Sequence, residues 1–234
     1  MVRSSLQVLI GAITVVLVAL FGLHRALGRR AFWIASSLLV AWFVAALLLT
    51  QAAFFQGTST SLPAIPFGVF IPIAVGLALF YRWRLFREMV EALPQSWIVG
   101  IQLYRLEGLT FLVLYAAGRL PGAFALPAGI GDVLVGALAP VAAIAYARGA
   151  RHSSAWLRAW NFLGIADLVV AVTTGFLTSP SPVQLLALDH PNQLIGAFPL
   201  AIIPVFLVPL SVLLHLASLK KLRRMAPKAL KVAA

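Results

Sequence analysis

Three of the chain's six acidic side chains stand where acids are costly. Asp132 lies in FALPAGIGDVLVGALAP, residues 124–140, among glycines, prolines and otherwise apolar residues. Arg105 and Glu107 lie in an apolar run before it, and Asn161 and Asp167 in one after it. Carboxyl groups surrounded by hydrocarbon either pair with a cation and hold helices together, or exchange a proton while something is moved. A carboxylate at a helix centre costs about 2.5–3.5 kcal/mol on the insertion scale. The nine Leu, Ile, Val and Phe residues of 121–147 return roughly 0.3–0.6 kcal/mol each. That segment therefore inserts only marginally alone, and Asp132 needs a partner. Gly129, Gly136 and Ala139 flank it at helical spacing and let a second helix come close. Pro127 removes a backbone hydrogen bond and is expected to bend the helix beside the acid, which frees the Ala123 carbonyl as a further acceptor.

The turn at Arg119–Leu120 narrows the choice of partner. Glu107 and Asp132 lie equally far from it along the chain. So short a connection forces an antiparallel hairpin, which puts both carboxyl groups at one depth, with Asp167 near the middle of its own segment. Arg105 and Glu107 are two apart and point to different sides of a helix. Arg105 is thus expected to reach across to Asp132 or Asp167. One cation against three acids implies a shared or retained proton. The expectation is one mid-bilayer cluster of Arg105, Glu107, Asp132 and Asp167, with Asn161 beside it.

The elements that position these residues follow from composition. The chain of 234 residues is 62% hydrophobic and 10% charged, with mean hydropathy +1.01. A soluble domain carries about a quarter charged residues, so a bilayer is the expected solvent. Spans of about 20 apolar residues are predicted at 5–27, 32–55, 64–82, 95–118, 121–147, 155–178 and 194–219, an all-α membrane protein of seven transmembrane helices. Residues 1–28 read as a retained first span: the apolar run is too long for a signal peptide and no A-x-A site follows. Of the 18 Lys and Arg residues, all but Arg3, Arg105 and Arg119 fall on one side, at the ends of spans one and three, in the connections after spans one, three and five, just inside span six and in the tail. The positive-inside rule then gives N-terminus out and C-terminus in. Because these charges punctuate apolar runs, the net +12 does not point to nucleic acid. Residues 83–93 carry Trp83, Phe86, Val90 and Leu93 at helical spacing, with Arg84–Glu88 and Arg87–Glu91 as i,i+4 pairs. They read as a short interfacial amphipathic helix or an extension of span three. The basic tail, 220–234, is expected to meet anionic lipid headgroups at the cytoplasmic face.

Other candidates are weaker. His24 and His215 lie near the inner ends of the first and last spans, where equal depth would suit bis-histidine haem. No second pair or supporting motif accompanies them, so neither haem nor another cofactor or metal is expected. His152 and His190 read as loop residues. Pro199, Pro204 and Pro209 recur at five-residue spacing and predict a bent last span. A retinal protein needs a lysine in that span, and the lysines begin only at Lys220. With no cysteine, disulfides and thiolate metal sites are excluded. No nucleotide loop, H-E-x-x-H or G-x-S-x-G occurs, so an enzyme is not expected.

The stretch LPQSWIVGIQLYRLEGLTF, residues 93–111, resembles the repeat of PQ-loop transporters at Pro94–Gln95, but those proteins carry the motif twice and this chain once. The run GRLPGAFALPAGIGD, residues 118–132, resembles segments of uncharacterised bacterial multi-pass membrane proteins over spans four to six. That resemblance implies the bacterial inner membrane and no particular activity. The leading expectation is a proton-coupled carrier or permease-like protein for a small solute; the alternative is a non-catalytic membrane subunit or assembly protein whose cluster is structural. A carrier should have a water-filled cavity reaching Asp132, and a scaffold should have Asp132 sealed in protein.

The orientation has a direct test, because the chain lacks cysteine. A cysteine introduced at Ser59 should react with an impermeant thiol reagent in intact cells, and one at Ala150 only after the inner face is opened. The reverse pattern would overturn the orientation.

Overall fold

A computed structural model describes residues 2–230, with side chains described for 6–224. The side chains of Arg3, Lys228 and Lys231 therefore lie outside the described residues. The described residues are helical and contain no strand; the single β-bridge joins Thr58 and Ser61. Helix α1 is Val2–Ala26, α2 Arg29–Gln51, α3 Ile65–Arg82, α4 Arg84–Ala92 and α5 Gln95–Gly100. A 3₁₀ segment, Ile101–Gly108, joins α5 to α6, Leu109–Ala116. Then come α7, Gly122–Ala147, and α8, Ser153–Thr178; a π-helical segment, Ile203–Leu207, runs into α9, Val208–Leu230. Seven helices are long and apolar enough to cross a membrane: Leu6–Ala26, Arg29–Gln51, Ile65–Arg82, Gln95–Ala116, Gly122–Ala147, Ser153–Thr178 and Ile203–Arg224.

Three of these spans end in the same way. At the end of α2 the Ala53 N–H bonds the Thr50 carbonyl and the Phe54 N–H the Leu49 carbonyl, with Ala53 at φ 57°. Gly118 and Arg119 repeat the pattern after α6, and Gly149 and Ala150 after α7. This paired bonding satisfies the last helix carbonyls and requires a left-handed residue, normally glycine. Ala53 takes that conformation at an expected cost of about 1–2 kcal/mol. It closes span two at Gln51, earlier than the predicted 55, and lets Phe55 turn inward to be buried.

The predicted seventh span, 194–219, is shifted. Residues 194–196 form a short 3₁₀ turn, and the continuous helix starts only at Ile203. Pro199 thus lies before the span, while Pro204 sits in the π segment and Pro209 at the start of α9. Prolines cannot donate to the preceding turn, and a local change of helix type absorbs the gap. At the other end, the tail does not leave the helix at 219: α9 continues to Leu230. Helix α7 runs without a break through Pro127 and Pro140. Helix α4 is a separate element, since Trp83 between α3 and α4 is extended.

The packing is inverted relative to a water-soluble protein. Phe21, Phe67, Phe162 and Val169 are exposed on the outside, while Arg105, Asn161 and His215 are buried. The last span is the most enclosed, with 56% of its apolar window buried, against 44% for span five and 11% for spans two and three. Two apolar clusters divide the interior. The larger gathers Val8, Ala12, Phe111, Leu114, Phe124 and Phe206; the smaller gathers Val99, Val135, Ala139, Leu157, Trp160 and Leu222. The fully buried ring of Phe206 packs on Trp42 and Phe43, at centroid distances of 4.7 and 5.0 Å. That contact ties peripheral α2 to the central last span. Phe206→Ala should lower unfolding stability by about 3 kcal/mol, measured by denaturant titration in micelles, whereas exposed Phe67→Ala should change it little.

Candidate functional site

The site is built around the 3₁₀ segment of span four. Three residues per turn place every third side chain on one face, and the buried residues of the segment are Gln102, Arg105 and Gly108. Arg105 is only 3% exposed. Its Nε donates to Asp132 Oδ1 of α7 at 2.8 Å, and its Nη2 donates to Asp167 Oδ2 of α8. Its Nη1 donates to the Gly164 carbonyl at 3.3 Å and faces His215 Nε2 of α9 at 3.2 Å. One guanidinium thus spends four donor contacts on groups from three other helices.

His215 carries the network onward. An arginine N–H can only donate, so His215 Nε2 accepts and the proton sits on Nδ1. Nδ1 then donates to Asn161 Oδ1 at 3.0 Å. Asn161 Nδ2 donates to the Leu157 carbonyl at 2.7 Å and to Ser218 Oγ at 2.9 Å. Gln95 Nε2 donates to the same Ser218 Oγ at 2.6 Å. The Trp160 ring leans on His215 at 4.9 Å, and its Nε1 donates to the Val135 carbonyl at 3.1 Å. With both ring nitrogens engaged, His215 as placed offers no free nitrogen to a metal. His24 is exposed near the end of α1, edge-on to Phe32. No group of three or more potential His, Cys, Asp or Glu metal ligands occurs among the described residues.

Glycines make the room. A Cβ on Gly164 would collide with the His215 imidazole, and one on Gly131 with the Asp167 carboxyl. At Gly136 the α7 backbone lies close against span four: a Cβ there would come within 2.9 Å of the Leu106 nitrogen. Gly129 faces Leu112, and Ala139 is buried in the smaller apolar cluster. The carboxyl and the glycines of the 124–140 stretch therefore belong to one arrangement: Asp132 needs Arg105, and small residues let the two helices close on the pair.

The structure brings Arg105, Asp132, Asp167 and Asn161 together and leaves Glu107 out. That corrects the expected four-member charged cluster. Gly108, on the same face of the segment as Arg105, packs against Asp132. In the 3₁₀ segment Glu107 turns about 120° away from it, toward α1, where Gly11 leaves space for its carboxyl. Glu107 is half-buried and has no hydrogen bond or ion pair among the described residues. Between it and Asp132 lies a void of about 10 Å³, also bordered by Tyr104 and Ser211. Tyr104 donates to the Leu207 carbonyl at 3.0 Å and shares a 2.6 Å hydrogen bond with Ser211 Oγ. The buried Gln102 amide has no partner.

His215, Ser218, Gln95 and Gly164 join this network although the expected polar cluster did not include them. A signal existed for two of them. Ser211, His215 and Ser218 recur at i, i+4 and i+7 in SVLLHLAS, residues 211–218, a polar stripe along one helix face. Gln95 and Gly164 carried no such mark.

At the basic end, Arg84 pairs with Glu88 at 2.7 Å as expected from spacing, but Glu91 pairs with Arg224. Lys221 Nζ donates to the carbonyls of Glu91 and Leu93 at 2.6 and 2.7 Å, capping α4, and Lys220 lies over Phe80 at 4.0 Å. These three basic residues, expected to face lipid headgroups, are engaged by protein. Gly164→Ala should displace His215 and cost about 1–3 kcal/mol, read as a lower midpoint of thermal unfolding in micelles. Gly28→Ala, where a Cβ meets nothing, should be silent.

No curated protein and no solved structure matches the chain. Residues 62–223 match the family described as Domain of unknown function (DUF8737). The match takes in the network from Gln95 to Ser218, and since it covers more than half of the sequence the chain belongs to this family.

Proposed function

We propose that the protein is a non-catalytic multi-pass protein of the bacterial inner membrane, N-terminus out and C-terminus in, acting as a membrane subunit or assembly factor in which the Arg105 network braces the helices. The observation that carries this reading is the engagement of Arg105: four of its five N–H donors go to groups from three other spans. A carrier needs a water path to Asp132. The void beside it, about 10 Å³, holds about one water at most, and its apolar wall, Leu168, Ile203, Leu207 and Val208, belongs to the larger apolar cluster. The network is also a poor proton relay, since a guanidinium keeps its proton and the carboxamides of Asn161 and Gln95 donate from fixed N–H groups. The placement of the basic loops supports the orientation.

One observation favours the second reading, a proton-coupled carrier. Glu107 is a carboxyl in an apolar span without a partner, and non-α backbone occurs in both span four and the last span.

The two readings separate on three variants. Asp132→Asn keeps an acceptor for Arg105 and should stay within about 1 kcal/mol of wild type. Asp132→Leu should be worse. Arg105→Leu should be worst, losing about 3–5 kcal/mol, because it strands two carboxyl groups and His215. In liposomes carrying a pH-sensitive dye, neither wild type nor Asp132→Asn should show solute-driven proton flux. Flux in the wild type that vanishes in a folded Asp132→Asn protein would replace the brace with the carrier.

A further inference from the structure

A cavity far from Arg105 carries chemistry of its own. It lies at the end of the bundle opposite the basic loops, between the connection of α2 to α3 and the connection of α8 to the last span. Its volume is about 430 Å³, within the range of roughly 300–1,000 Å³ typical of small-molecule sites.

Its walls are preformed. Gly57 packs against the Pro180 carbonyl, and a Cβ on Gly196 would come within 2.7 Å of the Phe55 carbonyl, so the two connections are pressed backbone to backbone. Asn192 stitches the second connection: its N–H donates to the Thr178 carbonyl at 2.8 Å, and its Oδ1 accepts from the Ile195 N–H at 3.2 Å. A site held this way loses little conformational entropy when it is filled.

The chemistry of the lining is specific. No residue lining the cavity is charged. Gln56, Ser59, Ser181 and Gln193 are polar, neutral and without a side-chain hydrogen bond among the described residues. Ser181 is only 8% exposed, and its buried hydroxyl has no partner. Gln184 commits its Nε2 to the Leu186 and Ala187 carbonyls and retains its oxygen. Hydroxyl and carboxamide groups both donate and accept. Phe55, Ile65 and Pro180 add apolar wall. A charged ligand would find no counter-charge here, and a wholly apolar one would leave Ser181 unsatisfied.

We infer that this cavity binds a neutral, polyhydroxylated small molecule, a sugar or polyol, through Ser59, Ser181 and the free carboxamides of Gln56 and Gln193. Alternating donors and acceptors match a row of hydroxyl groups, and the apolar wall takes the C–H face of a ring. The inference rests on the cavity alone. If the liposome assay turns the brace into a carrier, the binding experiment below is unaffected.

The test uses the full chain purified in a detergent without a sugar headgroup. Saturation-transfer NMR would be run with glucose, N-acetylglucosamine and mannitol, and with the charged analogues gluconate and glucosamine. At least one neutral compound should give saturable transfer, with the charged analogues roughly tenfold weaker, as expected when a charge is desolvated without a partner. Ser181→Ala removes only the hydroxyl and should weaken that binding roughly tenfold, the weight of one hydrogen bond. Ser59→Trp should fill the cavity and abolish binding without shifting the thermal midpoint, since Ser59 is exposed and remote from Arg105. Absence of binding by every neutral compound, equal or better binding of the charged ones, or binding that survives Ser59→Trp would each overturn the inference.

Discussion

A guanidinium buried among apolar helices must spend its donors on protein, and the central architecture follows from that requirement. Arg105 cannot lose its charge and is only 3% exposed. Its acceptors must come from neighbouring helices, and three of them converge on it. Between lipid-facing helices there is little hydrophobic force to select a register, so close backbone approach and interhelical polar contacts decide it. Replacing such a group by well-packed apolar residues is often neutral or stabilising. The contribution of Arg105 is therefore specificity: a register of α7, α8 or α9 that misses it leaves a bare charge in the interior.

The spans were largely legible because length and apolarity are one-dimensional properties. Boundaries went wrong where the backbone did something local. Ala53 closes α2 in a conformation that a sequence reader expects of glycine, and Pro199, Pro204 and Pro209 sit in three different local structures within a few residues. The site was half legible. Asp132, Asp167 and Arg105 stand out as charges in apolar runs, and cost alone says they must meet. Facing is a different property from depth. The Arg119–Leu120 turn speaks to the depth of Glu107, but the 3₁₀ segment sets its direction, and nothing in IQLYRLEG announces that backbone. His215 was hidden for the opposite reason. Four residues separate it from the nearest lysine, so it read as interfacial, whereas the helix continues to Leu230 and carries it inward.

The two ends of the bundle are held by different chemistry. At the basic end, side chains of α9 reach back to α3 and α4 through Lys220, Lys221 and Arg224. At the other end, backbone meets backbone through Gly57 and Gly196. The first kind of contact is ionic and rim-exposed, weakened by salt. The second is steric and insensitive to it. The loops that frame the large cavity are thus fixed by shape, while α4 is fastened by charge.

The network also imposes an order on synthesis. Arg105 is separated from Asp132 by 27 residues, from the Gly164 carbonyl by 59 and from His215 by 110. At about 5–20 residues per second, the last acceptor emerges on the order of 5–20 s after the guanidinium. During that interval span four must wait in the membrane with a cation only partly matched. The hairpin of spans four and five supplies its first acid early, which makes that hairpin the natural unit to leave the insertion machinery together. Histidine, the final acceptor, arrives with the span that becomes the most enclosed of the seven, so the bundle closes around its charge only once that span has been made.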